Sequence, residues 1–200
     1  MKFTTKISIL ILSLFASHAA LAQRMKEPVS FKLKNGLTVI VAQHDGLGKV
    51  YSRLTIENKG AEGQKNAAQV FESYLNGKAN TFNQNVSKSN TITPQVSLTV
   101  DEANTSTSIA DFEHALQFVA DNFVNPELSQ QAFEEMRSQP KSNKTDLENV
   151  SLADIKSFYA NHFKASDAFI TIAGDIDVAT AKTIANRAFG NWKTEAILAK

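Results

Sequence analysis

The chain has 200 residues, with 21 Lys and Arg against 20 Asp and Glu, 42% apolar side chains and no cysteine. That length suits one domain with a sizeable core. The balanced, unclustered charge excludes nucleic acid as a partner, because phosphate binding needs grouped Lys and Arg. The missing cysteines exclude disulfides and thiolate metal sites.

The chain opens with Lys2 and Lys6, then the apolar run Ile7–Phe15, then Ala20-Leu21-Ala22. Basic, apolar, A-x-A is the secretory signal pattern. The apolar run is well short of the roughly 20 residues a spanning helix needs. Residues 1–22 are therefore expected to be a signal peptide, and residues 23–200 a single domain, periplasmic or secreted after cleavage near Ala22. Losing Lys2 and Lys6 takes the 21 basic side chains to 19 against 20 acidic. No later segment is apolar enough to span a membrane.

Residues 29–57 read as strands. Phe31 and Leu33 alternate with Lys32 and Lys34, Asn35-Gly36 is a hairpin signal, and Leu37–Ala42 reads as a buried strand. Gly46 and Gly48 break it, and 50–56 alternates again. Residues 64–75 read as a short helix stopped near Gly77. Residues 80–100 are polar and β-leaning, with Pro94 marking an edge or a bend.

Ser108-Ile-Ala-Asp111 is a variant N-cap box. Ile109, Phe112, Leu116, Val119 and Phe123 then recur at helical spacing up to Pro126. A second helix covers 129–138, and 139–150 is a polar linker. Ser151-Leu-Ala-Asp154 repeats the cap pattern and opens a helix to Phe163, with Leu152, Ile155, Phe158 and Tyr159 as its stripe. Residues 168–173 are a strand, Gly174-Asp175 turns the chain, and 177–189 is a last helix with Gly190 at its C-cap. Hairpins mixed irregularly with helices favour α+β over a parallel α/β sheet.

This order, with "FKLKNGLTVIV" near the start, "IADFEHALQFVADNFVNPELSQQAFEEMRSQ" in the centre and "SLADIKSFYANHFKASDAFITIAGDIDVATAKTIANRAFGNW" at the close, resembles one half of an insulinase/pitrilysin-family zinc peptidase, the family that includes the processing peptidases. The resemblance runs from about residue 29 to 193. It implies an α+β unit with an antiparallel sheet covered on one side by helices. It also implies that halves pair, and that paired units close around an unfolded substrate. The linker at 139–150 stands where the family usually has a longer helical stretch.

Active members carry H-x-x-E-H on a helix, where the histidines bind zinc, the glutamate polarises the attacking water and a later glutamate completes the site. Aligned with "AQVFESYL", the motif puts Gln69 and Ser73 at the ligand positions and leaves Glu72 alone at the general-base position. An amide and a hydroxyl are poor zinc ligands. Glu134, Glu135 and Glu148 are candidate late carboxylates, and Glu134–Glu135 also reads as a solvated helix face. His44, His114 and His162 have no ligand spacing, and His162 in "FYANHF" reads as a packing or helix-terminus residue. There is no G-x-S-x-G elbow and no glycine-rich phosphate loop.

The expectation is a non-catalytic homologue of the zinc metallopeptidases, with no cofactor. It would act as a homodimer or as a heteromer with an active insulinase-family peptidase, and would bind peptide. Two alternatives stay open: an active zinc metalloendopeptidase subunit built on Glu72, and a stand-alone periplasmic binding or scaffold domain. Part of the two apolar stripes is expected to remain uncovered as an association surface.

Overall fold

The computed structural model describes residues 25–58, 63–86, 93–138 and 150–193. The expected signal peptide, most of the 139–150 linker and Glu148 lie outside the described residues. The strands are β1 Val29–Lys32, β2 Thr38–Gln43, β3 Lys49–Ile56, β4 Gln95–Leu98, β5 Glu102–Ser108 and β6 Ala168–Gly174. The helices are α1 Lys65–Val86, α2 Ile109–Phe123, α3 Gln130–Ser138, α4 Leu152–His162 and α5 Val178–Phe189, with a 3-10 turn at Ala165–Asp167 before β6.

The described strands form one sheet in the order β1-β2-β6-β3-β5-β4. It is α+β as expected, but not wholly antiparallel: β2 and β6 pair in parallel, Thr38 opposite Phe169 through Gln43 opposite Gly174. The reason is geometric. β2 and β3 are consecutive and run in opposite directions, so a strand inserted between them must be parallel to one and antiparallel to the other. β6 takes that central place because it buries Ile170 and Ile172 completely. Gly174 ends it at φ +131°, where a side chain would be strained and a Cβ would run into the Lys49 carbonyl.

One face of the sheet is apolar. Val39, Val41, Val50, Leu54, Leu98, Ile170 and Ile172 point into it, and all are buried. Helices cover this face, with α2 against β5 and β3 and α5 against β2. The opposite face carries Tyr51, Arg53, Gln95 and Ser97, all exposed. An aromatic cluster joins three helices at the core: Phe163 lies edge-on to Phe71 of α1 at 5.4 Å and to Phe123 of α2 at 5.1 Å, and stacks on Tyr159 of α4 at 5.1 Å. Burying each such ring contributes about 1.5–3 kcal/mol. The Tyr159 hydroxyl donates to the Phe123 and Val124 carbonyls at 3.0 and 2.8 Å, and burial pushes its phenol well above the ordinary value.

Local signals hold at the helix starts. Ser151 and Asp154 form a reciprocal capping box, and Ser108 accepts from the Asp111 N–H at 3.2 Å. Asp177 caps α5. Hydrogen bonds from Ser151 hold the Asp154 carboxyl below its ordinary range, and bonds from Thr180 do the same for Asp177. The Asn35-Gly36 turn forms with φ +93° at Gly36 alone, while Asn35 keeps a negative φ. Its side chain is used elsewhere: Nδ2 donates to the Phe189 and Trp192 carbonyls at 2.7 and 3.1 Å, tying the first hairpin to the end of α5.

Two expectations need correction. The helix expected at 64–75 continues for 22 residues to Val86, straight through Gly77. An interior glycine costs about 1 kcal/mol, and burial of Phe82 beyond it outweighs that, since a phenylalanine contributes about 1.5–3 kcal/mol. The apolar stripes are also taken up inside the domain. Phe112, Leu116, Val119, Phe123, Ile155 and Phe158 are all buried, and Ile109 alone of the two stripes is exposed.

Candidate functional site

Gln69, Glu72 and Ser73, the residues expected at the motif positions, lie on α1. Gln69, Ser73, Asn76, Asn80 and Asn83 follow one another at spacings of four, three, four and three, so they share one stripe of the helix. Gln69 is exposed. The Ser73 hydroxyl donates back to the Gln69 carbonyl at 3.0 Å, the usual resting place for a helical serine. Glu72 is half-buried and turns towards the β4–β5 turn, where its Oε2 lies 3.5 Å from the Val100 nitrogen.

Further along the stripe, α1 meets the sheet edge. Asn83 Oδ1 accepts from the Val96 N–H and Asn83 Nδ2 donates to the Val96 carbonyl, both at 2.8 Å. One carboxamide thus occupies both outward-facing groups of Val96 on edge strand β4, as a neighbouring strand would.

Between this helix and the uncovered sheet face lies a cavity of about 640 Å³. Asn76, Asn80 and Asn83 form its helical wall. Tyr51 and Arg53 of β3, Gln95 and Ser97 of β4, Asn104 and Ser106 of β5, and Thr171 and Ala173 of β6 line it from the sheet. Strand register explains this convergence: Arg53 is opposite both Asn104 and Thr171, and Tyr51 is opposite both Ser106 and Ala173. The lining is rich in carboxamides and hydroxyls, which both donate and accept hydrogen bonds.

The other candidates are dispersed. His44 follows β2 and bridges to Met25. His114 is exposed on α2, 5.4 Å from the Phe82 ring. His162 is buried at the end of α4, stacked on Phe158 at 5.1 Å, with Nε2 3.0 Å from the Val100 carbonyl oxygen and 3.2 Å from Asp101 Oδ1. Glu134 and Glu135 are exposed on α3, and Glu134 accepts from Gln130 at 2.9 Å. Among the described residues, no three His, Asp or Glu side chains converge into a metal-sized group.

Residues 149–199 match the family model described as the peptidase M16 inactive domain. The described fold also resembles several solved structures. A protease from Helicobacter pylori superposes over 86% of this chain and 52% of its own, with 18% identity and a TM-score of 0.66. The peptidase M16 inactive domain from Pseudomonas fluorescens gives 88% and 53%, with 14% identity and a TM-score of 0.62. The periplasmic protease PqqL from Escherichia coli gives 88% and 25%, with 12% identity and a TM-score of 0.61. The likeness to these structures is one of fold, and the family match itself is confined to residues 149–199. The chain spans about half the length of the first two proteins and a quarter of the third. Comparison with curated protein sequences gives no match.

Zinc of the M16 type does not fit the residues this chain offers. At the aligned positions stand an exposed amide and a hydroxyl already bonded to its own helix, and the carboxylate between them reaches towards a backbone N–H. The donor set lacks the imidazole nitrogens that hold zinc tightly. The carboxamides of Asn76, Asn80 and Asn83 were not expected to share a helix face because the expected helix ended at residue 75. Their three- and four-residue spacing, continuing Gln69 and Ser73, was the available signal.

Proposed function

We propose that this chain is a non-catalytic half of an exported M16-type assembly. It associates with itself or with an active peptidase subunit and holds an extended peptide over its uncovered sheet face. The observation that carries the reading is the cavity between α1 and that face. A polar, carboxamide-rich surface lies beside the helix where an active half would present its histidines, with Gln69 and Ser73 in their place. Backbone N–H and C=O groups of an extended peptide suit such a lining, because each carboxamide can both donate and accept.

Two further observations support the setting. The chain spans about half of the H. pylori and P. fluorescens proteins it resembles, and in them the rest of the polypeptide accompanies the matching half. PqqL is periplasmic, in keeping with the A-x-A signal at Ala20–Ala22. The test is to capture the tagged mature protein from periplasmic extract, identify co-purifying chains by mass spectrometry, and measure its mass alone by light scattering. The reading expects a dimer or a captured M16 peptidase, an N-terminus near Gln23, and substoichiometric zinc. A clean monomer at micromolar concentration with no partner recovered would favour a stand-alone binding domain. Stoichiometric zinc together with peptidase activity lost on Glu72→Gln would overturn the non-catalytic reading.

A further inference from the structure

The cavity on the uncovered sheet face has a one-sided charge. Among the described residues that line it, Arg53 alone carries a formal charge. Its Nε donates to Asn104 Oδ1 at 2.8 Å and lies 4.0 Å from Glu102 Oε2. Neither Nη atom has a partner among the described residues. The side chain is therefore held along one edge by its neighbours on β5, with its terminal nitrogens left unpaired. A guanidinium presents its remaining N–H groups as a planar fork that matches the two oxygens of a carboxylate.

The charge count narrows the ligand. A phosphate dianion calls for several cations or a helix N-terminus, and this cavity supplies one cation. A single carboxylate matches it. Around Arg53, the carboxamides of Asn80 and Gln95 suit peptide N–H and C=O groups, and the exposed ring of Tyr51 offers an apolar contact.

We propose that this cavity is a carboxylate-reading peptide site. Arg53 binds the carboxylate through its Nη fork, and the carboxamides hold the adjoining backbone. The carboxylate comes either from a peptide C-terminus or from an Asp or Glu side chain. The proposal rests on the peptide-holding role above and assigns its specificity.

The test uses the full mature chain and fluorescence anisotropy with three labelled peptides of one short neutral sequence. The first has a free C-terminal acid, the second is C-terminally amidated, and the third is amidated with a central Asp. At least one acidic peptide should bind roughly three- to tenfold tighter than the neutral amide, a modest factor because Arg53 is largely solvated. Whichever acidic peptide carries the preference identifies the source of the carboxylate. Arg53→Gln should erase the preference, bringing the acidic peptides to the affinity of the neutral amide. Glu102→Gln, which removes the competing carboxylate, should widen it, and added salt should narrow it. Both substitutions sit on the solvated face, and circular dichroism checks that each variant folds. Equal binding of all three peptides would overturn the carboxylate site and leave the peptide-holding role standing. A preference that survives Arg53→Gln would overturn the assignment to Arg53. Absence of binding by every peptide would overturn both proposals.

Discussion

His162 reaches from the end of α4 to the turn between β4 and β5, where its Nε2 lies 3.0 Å from the Val100 carbonyl oxygen. Glu72 approaches the nitrogen of the same residue from α1 at 3.5 Å, so both helices reach the backbone of Val100. Only 2% of the His162 surface is exposed, and its ring stacks on Phe158. This histidine holds the fold together. His162→Ala should cost about 2–4 kcal/mol through the cavity and the orphaned carbonyl. Urea denaturation measures it, and a loss below about 1 kcal/mol would contradict this role.

Asn83 is expected to protect the sheet edge. Asn83→Leu strands the Val96 N–H and C=O, so stability should fall by about 1–3 kcal/mol. It also exposes an unpaired strand edge, a template for further strands. Light scattering should show concentration-dependent growth beyond the wild-type species. An unchanged particle size would mean that another part of the chain guards β4.

Grafting the missing imidazoles tests the alignment. Gln69→His with Ser73→His puts two ligands one turn apart on α1, and zinc affinity should rise by at least about tenfold over wild type, since histidine is a far better zinc donor than amide or hydroxyl. Competition with a zinc-responsive dye reads it. Glu72→Gln in the grafted protein should leave the zinc affinity in place, because the motif's glutamate polarises water and does not bind the metal. No gain in affinity would show that the motif aligns elsewhere on the helix.

Acid should loosen two helix starts. The Asp154 and Asp177 carboxyls lie below their ordinary value of 3.8 because capping hydrogen bonds favour the charged form. A depressed folded value stabilises above the unfolded value and is lost as pH falls through the folded one. Stability from these caps is therefore complete near neutrality and declines below about pH 4. The double variant Asp154→Asn with Asp177→Asn should flatten that part of the pH–stability curve. Chemical denaturation across the acid range checks it, and an identical acid slope in the variant would remove the caps from the account.

Helix starts and the first hairpin were legible because their signals are local: a serine three residues before an aspartate, an asparagine before a glycine. β5 was not legible. Its buried side chains are Ala103, Thr105 and Thr107, a weak apolar signal that works only because Thr105 pairs with Ser52 at 2.8 Å across the sheet. The parallel β2–β6 pairing was hidden for a similar reason, since strand neighbours far apart in sequence leave no local mark. A helix forms where 64–75 was expected to be helical, yet its true length depended on Phe82 meeting Phe118 of α2 at 4.5 Å, a contact no window around Gly77 contains. The cavity inherits all three difficulties. It is assembled from α1 beyond Gly77 and from four strands, and Arg53 and Asn104 are 51 positions apart.

The place of β6 bears on when this protein can fold. β2 and β3 are made early but are not neighbours in the finished sheet; Ala168–Gly174 must slide between them before either side is complete. Until then the first strands form a small, open-edged fragment, and the β3-β5-β4 group forms another. Neither can close on its own. Such late, long-range pairing makes folding slow and leaves strand edges exposed on the way. A chain arranged like this completes its sheet only after Ala168–Gly174 has been made, so its core closes late in synthesis.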